Sequence, residues 1–315
     1  MNATIDGTIP TTQLTLGIYS QRWFEGRTSF RLSREPIDPS RYGVEQFERP
    51  APARDFVMCH HYSRSFSPCI TNFGLFRKDS PLSAARLVGV ATFAQASNID
   101  AVTKWSGLDY SAGAELTRFI LLDEEPGNAE SWFLSRAIRM FKEYRPSKQI
   151  LLSYSDPVPR RAIDGRLVLP GHCGGIYQSC NASYLGRSAP RQQWLAADGR
   201  AIAARLITKL RNGETGRAYA EKALSEASGL SRYEFETPTS FIQRALTNLR
   251  CHRHPGNHLY AFPLAASRRE KHHILNLPTL RAHTRGHAEY PKRPDAEPEF
   301  THYLKSSTHE LNSPV

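Results

Sequence analysis

Residues 115–155 limit the fold more than any other part of this chain. ELTRFILLD (115–123) is an apolar, strand-like run that breaks at Glu124-Glu125-Pro126-Gly127. In the following ESWFLSRAIRMFKEY, helical spacing places Trp132, Phe133, Ala137, Met140 and Phe141 on one face, and Asn128 stands where a helix cap is expected. QILLSYSDP then returns to a strand pattern. Strand, helix and strand this close together close as a crossover between neighbouring parallel strands. An α/β fold follows, with a helix packed on a mixed sheet.

The flanks extend that frame. ARDFVMCHHYS (53–63) sets Phe56, Val57 and His60 at helical spacing and is stopped by Ser67 and Pro68. CITNFGLFR (69–77) and RLVGVATFA (86–94) predict an antiparallel pair. Within the first 50 residues LTLGIYSQRWF predicts an early strand, and the rest reads as an arm. RQQWLAADGRAIAARL predicts a hairpin turning at Asp198-Gly199. RAYAEKALSEASG and TSFIQRALTNLR predict helices, so about 200–250 forms a helical insertion before a last strand, NHLYAFPL (257–264). The expected division is an arm (1–50), a catalytic domain (51–264) and a basic, His-rich, partly disordered tail (265–315).

Charge narrows the partner. Lys and Arg number 41 against 30 Asp and Glu, a net of +11. Between Arg250 and Arg293, nine Lys or Arg face two Glu, and seven of the twelve histidines lie there as well. Such an excess points to nucleic acid, with double-stranded DNA as the expected partner and the insertion and tail as its contacts. No apolar run approaches the roughly 20 residues a membrane helix needs, and MNATIDGTIPTT lacks the basic start and apolar middle of a signal peptide. No membrane partner and a cytoplasmic setting are therefore expected. The five cysteines include no CxxC pair, which supports neither a disulfide framework nor a thiolate zinc site. CHRH (251–254) matches no standard zinc spacing.

Polar chemistry concentrates in LLSYSDP and in GHCGGIYQSCNASYLG (171–186). Asp156 precedes a proline, so it leaves its strand in extended geometry, free to cap a turn or to face a cleft. Ser153 and Ser155 share one side of that strand and Tyr154 takes the other. A helical course from Gly175 aligns Tyr177, Asn181 and Tyr184 along one face. These are either buried aromatics on a core face or one wall of a polar cleft. In the second reading the tyrosines stack on a planar ligand and Asn181 hydrogen-bonds its edge. A Ser-His-Asp triad with His172 lacks the GxSxG nucleophile elbow.

Three blocks together resemble the Mom family of phage DNA-modification proteins: CHHYSRSFSPCITNFGLF, ELTRFILLDEEPGNAESWFLSRAIRMF, and LLSYSDP with GHCGGIYQSCNASYLG. The match spans roughly 53–187, with NHLYAFPL similar to the family's closing strand. The resemblance implies a fold like the GNAT acyltransferases. It also implies transfer of a carbamoylmethyl (acetamido) group to the exocyclic amine of adenine in DNA, which protects phage DNA from restriction in the host cytoplasm. Asp156 is then the first candidate to accept the amine proton, with Tyr62, Ser153, Ser155 and Tyr177 beside it. Asn181, Tyr184, His172, Gln178 and Arg118 become candidates for substrate binding. The resemblance also implies iron, for which His61 is preferred and His60 is the alternative. Adjacent helical residues point about 100° apart, so only one histidine enters a given site.

One feature conflicts with an ordinary GNAT enzyme. Where pyrophosphate of coenzyme A sits on a helix N-terminus, this chain has DEEPGNAES, whose Asp123, Glu124, Glu125 and Glu130 repel an anion. Acetyl-CoA is therefore not expected, and the group donor stays open. Two rival readings remain: an N-acetyltransferase acting on a protein or small amine, and an inactive DNA-binding protein with a GNAT-like core.

Overall fold

The computed structural model describes residues 19–24, 26–287, 289–292 and 294–296. Residues 14–18 of the expected first strand and 297–315 of the expected tail lie outside them. In chain order, β1 (Tyr19–Phe24) and β2 (Arg27–Leu32) form a hairpin, followed by β3 (Tyr42–Gln46), α1 (Ala51–His60), β4 (Thr71–Arg77) and β5 (Arg86–Ala94). Next come α2 (Ile99–Ser106), β6 (Gly113–Leu121), α3 (Gly127–Tyr144) and β7 (Ile150–Ser155). Short strands β8 (Arg160–Arg161) and β9 (Leu167–Leu169) precede α4 (Gly175–Ser179), β10 (Ser183–Arg187) and β11 (Arg191–Leu195). Three helices follow, α5 (Ala204–Asn212), α6 (Arg217–Ser228) and α7 (Pro238–Thr247), then β12 (Arg250–His254) and β13 (His258–Pro263). The described chain closes on α8 (Arg268–Leu275) and α9 (Pro278–Gly286).

The chain divides into two compact units. The first comprises Met1–Pro157, Pro170–Ala189 and Gly256–Asp295, the second Val158–Leu169, Pro190–Pro255 and Ala296–Val315. The first unit carries a seven-stranded mixed sheet in the order β10-β13-β7-β6-β5-β4-β3. Its expected crossover is present: β6 and β7 run parallel, joined through α3. Alternation along β7 sends Leu151 into one core and Ile150 and Leu152 into another. The α3 core centres on Phe133, Leu134, Ala137 and Phe141, all fully buried, with Phe93 stacked on Phe141 at 4.5 Å. The second core joins Trp105 of α2, Leu259 of β13, Ile274 of α8 and Leu280 of α9. The expected β4/β5 pair is antiparallel.

The second unit holds the short β8/β9 and β11/β12 ladders. Its three helices close on Ile207, Leu210, Leu224, Phe241 and Ile242.

Three expectations are corrected. The turn at Asp198-Gly199 exists, with Gly199 at φ +81°, but only one bridge, Leu195 to Ala201, follows it. The strand β11 pairs instead with β12, and ARLITKLRN, rich in good helix formers, becomes α5. Asn128 does not cap α3, which begins one residue earlier behind Pro126. Finally, residues 268–286 form two helices where the tail reading expected little order. Ser267 accepts the Glu270 amide while Glu270 accepts the Ala266 amide, a local stitch at the start of α8. Pro278 opens α9, and Ile274 and Leu280 bury.

Candidate active site

The parallel pairing of β6 and β7 ends at Leu116 and Ser153. Beyond it the two strands have no mutual ladder, and a cleft of about 1090 Å³ within the first unit is lined by Thr117, Phe119 and Leu121 of β6 and by Tyr154 of β7. The β1/β2 hairpin adds Gln21, Trp23 and Phe30, and α4 adds Ile176, Tyr177 and Gln178. Glu289, Tyr290, Pro291 and Lys292 line it from the segment after α9. This volume is at the upper end of the range for small-molecule sites, so it has room for more than one planar base.

The hairpin also determines what the start of α3 presents. Arg22, 5% exposed, donates to the carbonyls of Leu122, Glu125 and Pro126 and to Glu130 Oε1 at 3.1 Å. Glu35 Oε2 accepts the Gly127 amide at 3.1 Å, and the Glu35 carbonyl accepts the Asn128 amide. A Cβ at Gly127 would lie 1.9 Å from the Leu32 carbonyl oxygen, so only glycine admits the chain here. Glu125 is fully buried but held by Arg77 and by the Tyr42 hydroxyl.

At the other end of the cleft, rings from three segments meet. Tyr62 lies 4.1 Å from His61, 6.3 Å from His172 and 6.4 Å, edge-on, from Trp23, measured between ring centroids. His61 is buried, and desolvation, reinforced by the Arg118 and His172 charges, pulls its pKa down to about 3. Its Nδ1 lies 2.8 Å from Ser63 Oγ and 3.1 Å from the Ser63 amide nitrogen, so Ser63 fixes the ring through that nitrogen. Burial also lowers His172, and the Asp156 carboxylate opposes that shift. The His172 amide donates to the Asp156 carbonyl at 2.8 Å, so strand end and Gly-rich segment are tied together. Tyr177 is buried and its hydroxyl pKa is raised by desolvation.

Arg118 spends its donors nearby: Nε on the Ser65 carbonyl at 2.8 Å, Nη2 on Ser65 Oγ, and Nη1 on the Thr117 carbonyl. It thereby fastens the His61–Ser65 turn to β6. Gln178 Nε2 lies within 3.0 Å of the Cys173 and Pro291 carbonyls, joining α4 to the segment after α9.

Several sequence candidates lie elsewhere. The helix from Gly175 ends at Ser179, and Asn181 takes a left-handed φ of +57° with an exposed side chain. Tyr184 falls on β10, where its hydroxyl meets His258 Nδ1 at 2.8 Å. The expected Tyr177-Asn181-Tyr184 stripe therefore does not form. The chain turns from helix to strand between the first and second members. Ser153 and Ser155 are fully buried on the strand face opposite Tyr154, and neither lines the cleft. His60 is exposed and packs on Phe56 at 4.7 Å, turned away from His61 by the helical step. Conversely, Arg22, Trp23, Phe30 and Glu35 are site features that the sequence reading missed. They come from the segment read as an arm, where a Glu-Gly turn between two short alternating runs was the available signal.

Comparison with known proteins adds the family. The Mom protein family matches residues 41–238, more than half of the chain. The chain belongs to the Mom protein family. Membership makes it a DNA-modification protein of the phage type. Among curated proteins none matches. A similar solved structure is a tandem GNAT protein from the clavulanic acid biosynthesis pathway, without AcCoA. It is 10% identical with a TM-score of 0.32, covering 68% of this chain and 88% of that one.

The iron implied by the Mom resemblance can be tested against these donors. His61 Nδ1 is engaged by Ser63, which leaves Nε2 as the nitrogen that could meet a metal, and His60 packs on Phe56 away from it. Among the described residues no three His, Cys, Asp or Glu side chains form a metal-holding group. These residues supply a single imidazole donor rather than a set, and no step is routed through iron.

Proposed function

We propose that this Mom-family protein attaches a carbamoylmethyl group to the exocyclic amine of adenine in DNA, in the cleft where β6 and β7 part. The observation that carries the reading is the cleft-lining His172 tied to Asp156, whose carbonyl accepts the His172 amide at 2.8 Å and whose carboxylate opposes the lowering of the His172 pKa by burial. The adenine amine is a weak nucleophile because its lone pair is delocalised into the ring. As its nitrogen bonds to the donor's methylene carbon, the bond from that carbon to the donor's leaving group breaks, its electron pair departs with that group, and the nitrogen gives up a proton. His172 accepts that proton, and Asp156 favours the imidazolium so formed.

Tyr62 and Tyr154, partly buried in the cleft wall, are the rings on which an extruded base would stack, each such stack contributing about 1–3 kcal/mol. The buried Tyr177 hydroxyl stays protonated and able to donate. Arg118 acts as a positioning residue through Ser65, which holds the turn carrying His61 and Tyr62.

An N-acetyltransferase reading needs coenzyme A over the start of α3. There Glu35 already caps Gly127, and its carboxylate repels a pyrophosphate. The direct test is expression in bacteria followed by digestion of their DNA to nucleosides and mass spectrometry of deoxyadenosine. A carbamoylmethylated deoxyadenosine is expected; unmodified deoxyadenosine from well-expressed protein would overturn the reading.

A further inference from the structure

The cations of this chain are not equally available to a partner. In the second unit Arg205 of α5, Arg244 of α7 and Arg232 between α6 and α7 are each held by a carboxylate, those of Glu214, Glu236 and Glu221, whereas Arg211 and Arg217 are exposed with no ion pair among the described residues. The paired α8 and α9 of the first unit differ. Arg268, Arg269 and Lys271 on α8 and Arg281 and Arg285 on α9 are all exposed, and none has an ion pair among the described residues. The one acid on these helices, Glu270, is spent on Lys142 at 2.8 Å.

The helices are also fixed to the body that holds the cleft. Ile274 and Leu280 are buried in the core beneath β7 and β13. The His283 ring packs on Trp105 of α2 at 4.6 Å. Arg281 and Arg285 are one helical turn apart and so project on the same side. Five residues beyond Arg285 the chain reaches Tyr290, which lines the cleft and anchors its hydroxyl on the Ala182 carbonyl at 2.7 Å. Five extended residues span at most about 18 Å, roughly the rise of five base pairs along one strand. A backbone held on α8 and α9 is therefore close enough to deliver a base to the cleft.

We infer that α8 and α9 form the cradle for the phosphate backbone of duplex DNA. The inference rests on the cleft reading only for the direction in which the duplex is delivered. Unpaired cations release counterions from DNA when they bind phosphates, whereas a cation already held by a carboxylate gains little.

The test uses the full chain and a short fluorescent duplex titrated over a range of salt. Replacing Arg268, Lys271, Arg281 and Arg285 together with Gln should weaken binding at least tenfold. It should also flatten the salt dependence by about 0.9 in slope for each phosphate that is no longer neutralised. Arg205→Gln with Arg244→Gln, whose guanidinium groups are already held by carboxylates in the second unit, should change affinity less than twofold. Thermal melting of each variant confirms that it is folded, and the pair Arg281→Glu and Arg285→Glu gives an independent second variant. Binding by the fourfold variant with unchanged affinity and slope would overturn the inference, even if DNA from expressing cells is modified. Loss of binding in that variant, with cellular deoxyadenosine unmodified by the wild type, would support the cradle and count against the cleft reading alone.

Discussion

The carboxylate of Glu35 caps the amide of Gly127 at 3.1 Å, across 92 residues of sequence. It ties the N-terminal hairpin segment to the first turn of α3, where the helix dipole favours a negative charge. Arg31 holds the same carboxylate through two hydrogen bonds, fixing its orientation. Glu35→Ala should therefore cost about 1–2 kcal/mol, lowering the melting temperature by roughly 2–4 °C for each kcal/mol. Because the wild-type position is already filled, saturating coenzyme A should leave the melting temperature of the wild type unchanged. Calorimetry or a thermal shift assay reads both effects.

The Asp156 and His172 pair yields a prediction about chemistry. Asp156→Asn keeps the strand-end geometry, because the His172 amide bonds the Asp156 main chain rather than its side chain. It removes the charge that favours a protonated His172. The modified fraction of deoxyadenosine should fall about 10²- to 10⁴-fold, with the circular dichroism spectrum retained. Activity within a factor of two of the wild type would remove Asp156 from the mechanism.

The frame of the site was legible because it follows from periodicity. The alternating and helical patterns of 115–155 are local properties, and they correctly placed β6, α3 and β7. The wall built from 171–186 was not legible beyond Tyr177. A stretch rich in glycine and small polar residues has no periodicity strong enough to separate continued helix from a turn. Asn181 tolerates a left-handed conformation, and that choice is what rotates Tyr184 onto a strand. The hairpin side was hidden for a different reason: Arg22 and Glu35 acquire their roles only through partners about a hundred residues away, and Trp23 through Tyr62 on a separate segment. The α8 helix had a local signal, Ser267 followed by Glu270, but its apolar face is so thin that charge dominated the reading.

The exposed left-handed Asn181 separates a backbone role from a base-reading role. Asn181→Gly should be neutral or slightly stabilising, since glycine adopts φ +57° without a Cβ penalty. Asn181→Val should destabilise by about 1–2 kcal/mol. Both variants should modify DNA as well as the wild type does once corrected for folded protein. A selective loss of modification in the glycine variant would restore Asn181 to the adenine site.

The fully buried Ser153 hydroxyl has no hydrogen-bond partner among the described residues. An unsatisfied buried hydroxyl costs about 1–3 kcal/mol. Ser153→Ala should leave stability unchanged or raise it by about 1 kcal/mol, and should leave DNA modification intact. Denaturant unfolding combined with the nucleoside assay decides between this buried position and a substrate-orienting one.

Buried neutral histidines should make the fold sensitive to mild acid. His61 is lowered to about 3 by desolvation and by the nearby Arg118 and His172, and burial lowers His172 itself against the pull of Asp156. His258, whose Nδ1 faces the Tyr184 hydroxyl, is lowered to about 4 by burial and by Arg187, with Asp295 opposing. In each case the unfolded chain takes up a proton near pH 6.5 that the folded state refuses. The unfolded state therefore binds more protons below that pH, and stability is complete above about 6.5 and lost as pH falls. Within this window each such histidine contributes up to about 1.4 kcal/mol per pH unit. Thermal unfolding between about pH 7 and pH 5, above the range where most carboxylates titrate, should show a clear fall in melting temperature. His61→Gln should make that fall shallower, because glutamine occupies the buried position without a proton to gain. A melting temperature that is flat across this range in the wild type would show that these imidazoles are not held neutral by burial.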